Sequence, residues 1–134
     1  MAYPIREIPG IGTDVAAILK KEGIRTTIGF LRVAKTPKQR LRIAAKTGTD
    51  TKRVLDWATA CDRMRVKGVG AEYAQLLGAA GVKTVNDLQL RNPRNLVEKM
   101  QAANKGKLVR VLPKEKTVER WIESAKKLLP LIRY

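Results

Sequence analysis

Histidine is absent from the 134 residues, and cysteine occurs once, at Cys61. That excludes a disulfide framework and a cysteine-based zinc cluster, and leaves Cys61 to packing. Aromatic residues are scarce, at 4% against 44% hydrophobic residues overall, so a core would be built mostly of aliphatic side chains. No stretch is long and apolar enough to span a bilayer, and the start M-A-Y-P-I-R-E lacks the apolar centre of a signal peptide. A cytoplasmic protein outside the membrane is the expectation. Acidic residues are also few: 12 Asp and Glu stand against 28 Lys and Arg, a formal charge of +16. The acids are scattered, mostly beside basic residues, and do not gather as metal-dependent nuclease chemistry would need. The positive excess favours a polyanion as partner, and nucleic acid is the commonest one. A solvated basic surface would have the same composition, and a ribosomal or membrane-surface partner would fit the charge as well.

What the chain does have is a repeat. Ile8 to Ile24 reads I-P-G-I-G-T-D-V-A-A-I-L-K-K-E-G-I, and Val66 to Val82 reads V-K-G-V-G-A-E-Y-A-Q-L-L-G-A-A-G-V. Gly10 matches Gly68, Gly12 matches Gly70, Ala16 matches Ala74, Leu19 matches Leu77 and Gly23 matches Gly81, about 58 residues apart, in the range of a duplicated structural unit. Two glycines around one apolar residue suit a tight turn with positive φ. The apolar residues that follow recur at helical spacing: Val15, Ile18 and Leu19, then Tyr73, Leu76 and Leu77. Gly23 and Gly81 stand where a helix would end in a left-handed cap. Each turn would aim unpaired helix N-terminal amides outward, and such amides suit an anion.

I-P-G-I-G-x-x-x-A-x-x-L and V-K-G-V-G-x-x-x-A-x-x-L resemble the hairpin and second helix of the helix-hairpin-helix motif, a family of DNA-backbone-binding elements. Most of the chain resembles an uncharacterised bacterial family, domain of unknown function 4332, built from two such repeats and carrying no established activity. The resemblance implies phosphate binding by the amides of Gly10, Ile11 and Gly12 and of Gly68, Val69 and Gly70. It also leaves room for a monovalent cation on the turn carbonyls, bridging to phosphate; no other cofactor is implied. Glycosylases of this type carry a catalytic lysine just after the hairpin. Asp14 and Glu72 occupy that place here, and Asp87 further on reads as a helix-start residue, so no enzymatic activity is expected.

Asp14 and Glu72 suit the helix dipole yet repel an incoming phosphate. Arg63, Arg65 and Lys67 beside the second turn would offset this, whereas Pro9 brings no such help to the first. Residues Met1 to Glu7, with Pro4, are too short for a full leading helix. Thr26 reads as the cap of a short helix with Ile28, Phe30 and Leu31. Thr36-Pro37 opens another, which runs to about Thr47 and stops at Gly48. On it Lys38, Arg42 and Lys46 form a basic stripe able to follow a phosphate backbone, and Leu41, Ala44 and Ala45 an apolar one. Asp50 or Thr49 caps the next helix, with Val54, Trp57 and Cys61, which leads into the second turn. Thr84 and Asn92-Pro93 repeat the plan, with Leu96, Val97 and Met100 inward. A basic connector, Lys107 to Lys116, precedes a last helix from about Thr117 to Leu129 with Val118 and Trp121. Leu108 to Leu112 is the one strand-like stretch. Trp57 and Trp121 read as core anchors.

The expected fold is all-α: a single domain over 1–134 of two pseudo-symmetric helix-hairpin-helix units, 8–63 and 64–129, sharing one compact core. The expected function is non-enzymatic, largely sequence-independent binding of a DNA backbone. RNA or an acidic protein is the alternative partner, the latter in a helical scaffold whose hairpins are only structural. Oligomeric state is not legible.

Overall fold

The computed structural model describes residues 2–134. Its helices are α1 (Thr13–Lys21), α2 (Thr27–Arg32), α3 (Pro37–Thr47), α4 (Thr51–Arg63), α5 (Ala71–Ala79), α6 (Val85–Gln89), α7 (Pro93–Ala103) and α8 (Glu115–Lys126), with 3-10 turns at Ile5–Glu7 and Asn104–Gly106. Among the described residues there is no strand; a single bridge joins Pro4 to Thr26, and Leu108 to Leu112 runs as bends. No helix among them is long and apolar enough to cross a membrane.

Local chemistry explains most helix boundaries. Side-chain oxygens of Thr26, Thr36, Asp50, Thr84 and Asn92 each accept an amide of the helix they precede, which satisfies a donor the helix leaves open. Gln39 completes a capping box with Thr36. Helices α1 and α5 stop in the same way. Ile24 donates to the Leu19 carbonyl and Gly23 to Lys20; Val82 donates to Leu77 and Gly81 to Gly78. This is a double bond pattern that needs the left-handed glycine, and Gly23 and Gly81 have φ of 83° and 93°.

The compact all-helical body keeps its buried side chains in two clusters with α4 as their common wall. Ile5, Ile8, Ile11, Leu19, Phe30, Leu31, Val54 and Trp57 belong to the first. Met64, Val69, Leu76, Leu77, Leu88, Leu96, Met100 and Trp121 belong to the second. Each fully buried Leu, Ile, Met or Phe contributes roughly 1.5–3 kcal/mol by leaving water. The ends of the chain cross over: Tyr3 packs on the second cluster, while Leu131 and Ile132 pack on the first.

Two arginines hold the chain internally. Arg40, 4% exposed, donates to the carbonyls of Ala34, Lys35 and Arg133, tying the C-terminal segment to α3. Arg63 donates to the carbonyls of Ala74 and Lys83; burial pulls its pKa down to about 10, still charged at neutral pH. Helix α3 therefore turns inward a face of Arg40, Ile43 and Ala44, whereas Leu41 is 62% exposed and Ala45 is exposed too. The Leu41, Ala44 and Ala45 stripe is corrected on that point: carbonyl acceptors for Arg40 outweigh the burial of one leucine.

Candidate nucleic-acid interface

Both glycine turns are closed by one hydrogen bond between buried anchors. Ile11 donates to the Ile8 carbonyl at 3.2 Å, and Val69 to the Val66 carbonyl at 3.0 Å, with all four side chains buried. The amides of Ile11 and Val69 are thus committed to the turns and their side chains to the core. They are anchors, which corrects the expectation that they donate to a ligand. Helical bonding begins at Ala16 to the Gly12 carbonyl and at Ala74 to the Gly70 carbonyl. Neither Gly12 nor Gly70 gives its helix a side-chain cap. Among the described residues, the amides of Gly10, Gly12, Gly68 and Gly70 have no intramolecular acceptor. Asp14 and Glu72 stay exposed and do not fold back as caps.

The glycines themselves differ. Gly10, Gly12 and Gly68 have φ of 77°, 75° and 90°. Gly70 has φ −93° and ψ −166°, an extended conformation open to any residue. The expectation of positive φ at both glycines of each turn holds for the first turn and for half of the second.

The basic side chains are redistributed relative to the sequence reading. Arg65 binds Asp62 Oδ1 through Nη1 at 2.8 Å and the Leu129 carbonyl at 2.9 Å, with its side chain 10% exposed. The other oxygen of Asp62 accepts the Val85 amide at the start of α6. Arg65 is therefore a brace and Arg63 an internal clamp, which leaves exposed Lys67 as the cation of that trio beside the second turn. Arg120 joins it from α8, lining a cavity with Lys67 and Gly68. At the first turn Arg6 and Lys20 line a depression with Gly10, Gly12 and Thr13, and Arg53 Nη2 lies 3.5 Å from the Gly10 carbonyl. Lys20 is reachable in hindsight, since it follows Thr13 by two helical turns. Arg6, Arg53 and Arg120 gave no local signal.

The α3 stripe lies elsewhere. Lys38 and Arg42 are exposed, and Lys46 pairs with Glu22 at 3.1 Å, a surface pair worth at most about 1 kcal/mol. Arg42 and Lys46 flank an apolar groove formed by Ile18, Ile24, Val33 and Ile43. At 3.6 residues per turn, Ile18 and Glu22 face away from Thr13, Ala17 and Lys20 on α1. Thus Lys38, Arg42 and Lys46 do not extend the basic surface of the first turn.

Trp57 and Trp121 are 4% and 3% exposed. Trp57 meets Phe30 edge to face, with Arg53 5.6 Å above its ring, and Trp121 packs on Tyr73 at 5.2 Å. Cys61 is buried, and burial pushes its thiol well above the ordinary range, away from thiolate chemistry. Among the described residues no group of three or more Cys, Asp or Glu could hold a metal. The Gly10 carbonyl, one of the turn oxygens considered for a monovalent cation, has the exposed Arg53 guanidinium against it.

The family model described as Domain of unknown function (DUF4332) matches residues 9–128, so the chain belongs to that family. No curated protein and no solved structure is detectably similar to it.

Proposed function

We propose that this protein is a non-enzymatic, largely sequence-independent DNA-backbone-binding module of tandem helix-hairpin-helix type, acting in the bacterial cytoplasm. The observation that carries the reading is the pair of uncapped helix starts. At Gly12 and Gly70 the amides have no side-chain acceptor, and cations flank both places: Arg6 and Lys20 at the first, Lys67 and Arg120 at the second. Open amides at a helix start, with its dipole, suit a phosphate oxygen, and lysine and arginine add affinity through counterion release. Such contacts follow the backbone and read no base edges. RNA offers the same phosphates and is the nearest alternative ligand.

The test is fluorescence anisotropy with random-sequence duplex, single strand and RNA at two salt concentrations. Binding that falls steeply with salt is expected, and absence of binding at low salt overturns the reading. Gly70 gives a clean variant: its backbone is extended and nothing lies within 4 Å of a Cβ placed there. Gly70→Leu with Lys67→Glu should leave the fold intact, weaken binding and lower the salt slope by roughly 1 for the lost lysine contact. Unchanged binding by that folded variant removes the second turn from the interface.

A second reading, a protein-binding scaffold, draws on the apolar groove between α1 and α3, where Val33 is exposed and Arg42 and Lys46 form the rim. An acidic, amphipathic partner would suit it. Binding that is lost in Arg42→Glu and kept in the Gly70→Leu, Lys67→Glu variant would favour this reading.

A further inference from the structure

We propose that α8 and the second glycine turn together form a seat for one phosphate group, with the Trp121 indole N–H as its innermost donor. The proposal rests on the nucleic-acid reading and goes further, assigning a defined contact to one turn and not the other. The cavity measures about 390 Å³ and is lined by Lys67, Gly68, Thr117, Arg120, Trp121 and Ser124. Trp121 is 97% buried, since 3% of its surface is exposed. Yet among the described residues its Nε1 has no hydrogen-bond partner, and it is not shut off from solvent as an orphaned buried atom. A buried tryptophan N–H ordinarily finds an acceptor. Here the nitrogen would lie 3.3 Å from a Cβ added at Gly68. The indole therefore opens onto the turn, and the missing side chain at Gly68, whose φ is 90°, keeps the space before it clear.

The lining specifies the ligand. An indole N–H can only donate, so its partner must be an acceptor. Thr117 and Ser124 stand one turn before and one turn after Trp121 on α8 and line the same cavity. Lys67 and Arg120 supply two positive charges, and no carboxylate lines the cavity. An oxyanion suits these donors and cations, and on the nucleic-acid reading that oxyanion is a backbone phosphate. The first turn has no counterpart: a Cβ at Gly10 meets nothing within 4 Å, and Arg53 covers the face of Trp57. The seat is thus particular to the second turn and sets where one phosphate lies relative to the Gly70 amide.

The chain has two tryptophans, so its ¹⁵N-labelled form gives two indole cross-peaks, assigned with Trp121→Phe. Titrations use inorganic phosphate, a 5′-hydroxyl duplex and the same duplex carrying 5′-phosphate. The expected result is a saturable shift of the Trp121 indole with the Trp57 indole still. An equal shift with both duplexes identifies an internal phosphodiester; a shift only with the phosphorylated one identifies a strand end. Exposed Arg120→Glu should abolish that shift and weaken duplex binding roughly tenfold, against about twofold for the charge-matched Arg94→Glu on α7. If the amides of Gly68 and Gly70 respond to duplex while the Trp121 indole does not, the seat is wrong and the backbone-binding reading stands. If neither responds to either duplex the seat falls, and if the amides of Gly10 and Gly12 are silent as well the backbone-binding reading falls with it. Equal loss in Arg120→Glu and Arg94→Glu also overturns the seat.

Discussion

The two glycine turns carry one sequence pattern and one closing hydrogen bond, but their surroundings are built by different means. In the first half of the chain, the amide that opens α2, at Thr27, donates to the Tyr3 carbonyl, and Ile5 donates back to Arg25. A short extended segment thus does the work of a leading helix. In the second half, the corresponding amide at Val85 donates to the Asp62 carboxylate at the end of α4. A backbone carbonyl is neutral and needs no further partner. A buried carboxylate needs a cation, and Asp62 draws Arg65 inward to supply it. Two similar stretches therefore present different charges to solvent, because the supports beneath them differ.

The largest expected break in this comparison is Asp62→Ala. It removes the acceptor at the start of α6 and strands Arg65, and stability should fall by about 3 kcal/mol in urea unfolding. A loss under about 1 kcal/mol would mean that the carboxylate is not what closes the second half.

Next comes the contrast between Gly12 and Gly70. Gly12 has φ 75° and ψ 159°, a region nearly reserved for glycine, so Gly12→Ala should cost about 2 kcal/mol. Gly70→Ala should stay within about 0.5 kcal/mol of the parent. Equal melting temperatures for the two variants would erase the difference between the turns. The smallest effect belongs to Arg53→Ala, which uncovers Trp57 and frees the Gly10 carbonyl. It should lose about 0.5–1 kcal/mol and raise the first turn's tolerance for a cation, read as a potassium-dependent shift of the Gly10 and Gly12 amides.

Much of the helical framework was legible because its signals are short. Thr26, Thr36, Asp50, Thr84 and Asn92 act on amides three residues ahead; Thr49 and Asp50 are equally suited to cap α4, and the bond from the Arg53 amide singles out Asp50. The start of α8 at Glu115 was missed by two residues, since Lys114 supplies no side-chain cap to mark it. The candidate site was less legible. Arg63 and Arg65 sit next to Lys67 in sequence and looked like companions, yet the acceptors that draw them inward include carbonyls of Lys83 and Leu129. Arg120 is distant in sequence and close in space to Gly68. The α3 stripe was a true surface stripe, and periodicity could not say that Arg42 and Lys46 meet the side of α1 that carries Ile18 and Glu22, away from the first turn.

The amino-acid order alone determined much of the punctuation of this protein: where most helices begin, and where glycine ends α1, α3 and α5. Those choices are made by hydrogen bonds spanning three to five residues, within reach of any local reading. Only the folded chain decided which positive charges stay in water and where the Trp121 N–H opens. A guanidinium needs carbonyl or carboxylate acceptors, and an indole needs a neighbour small enough to leave it room. Both depend on groups brought together by packing across the whole chain.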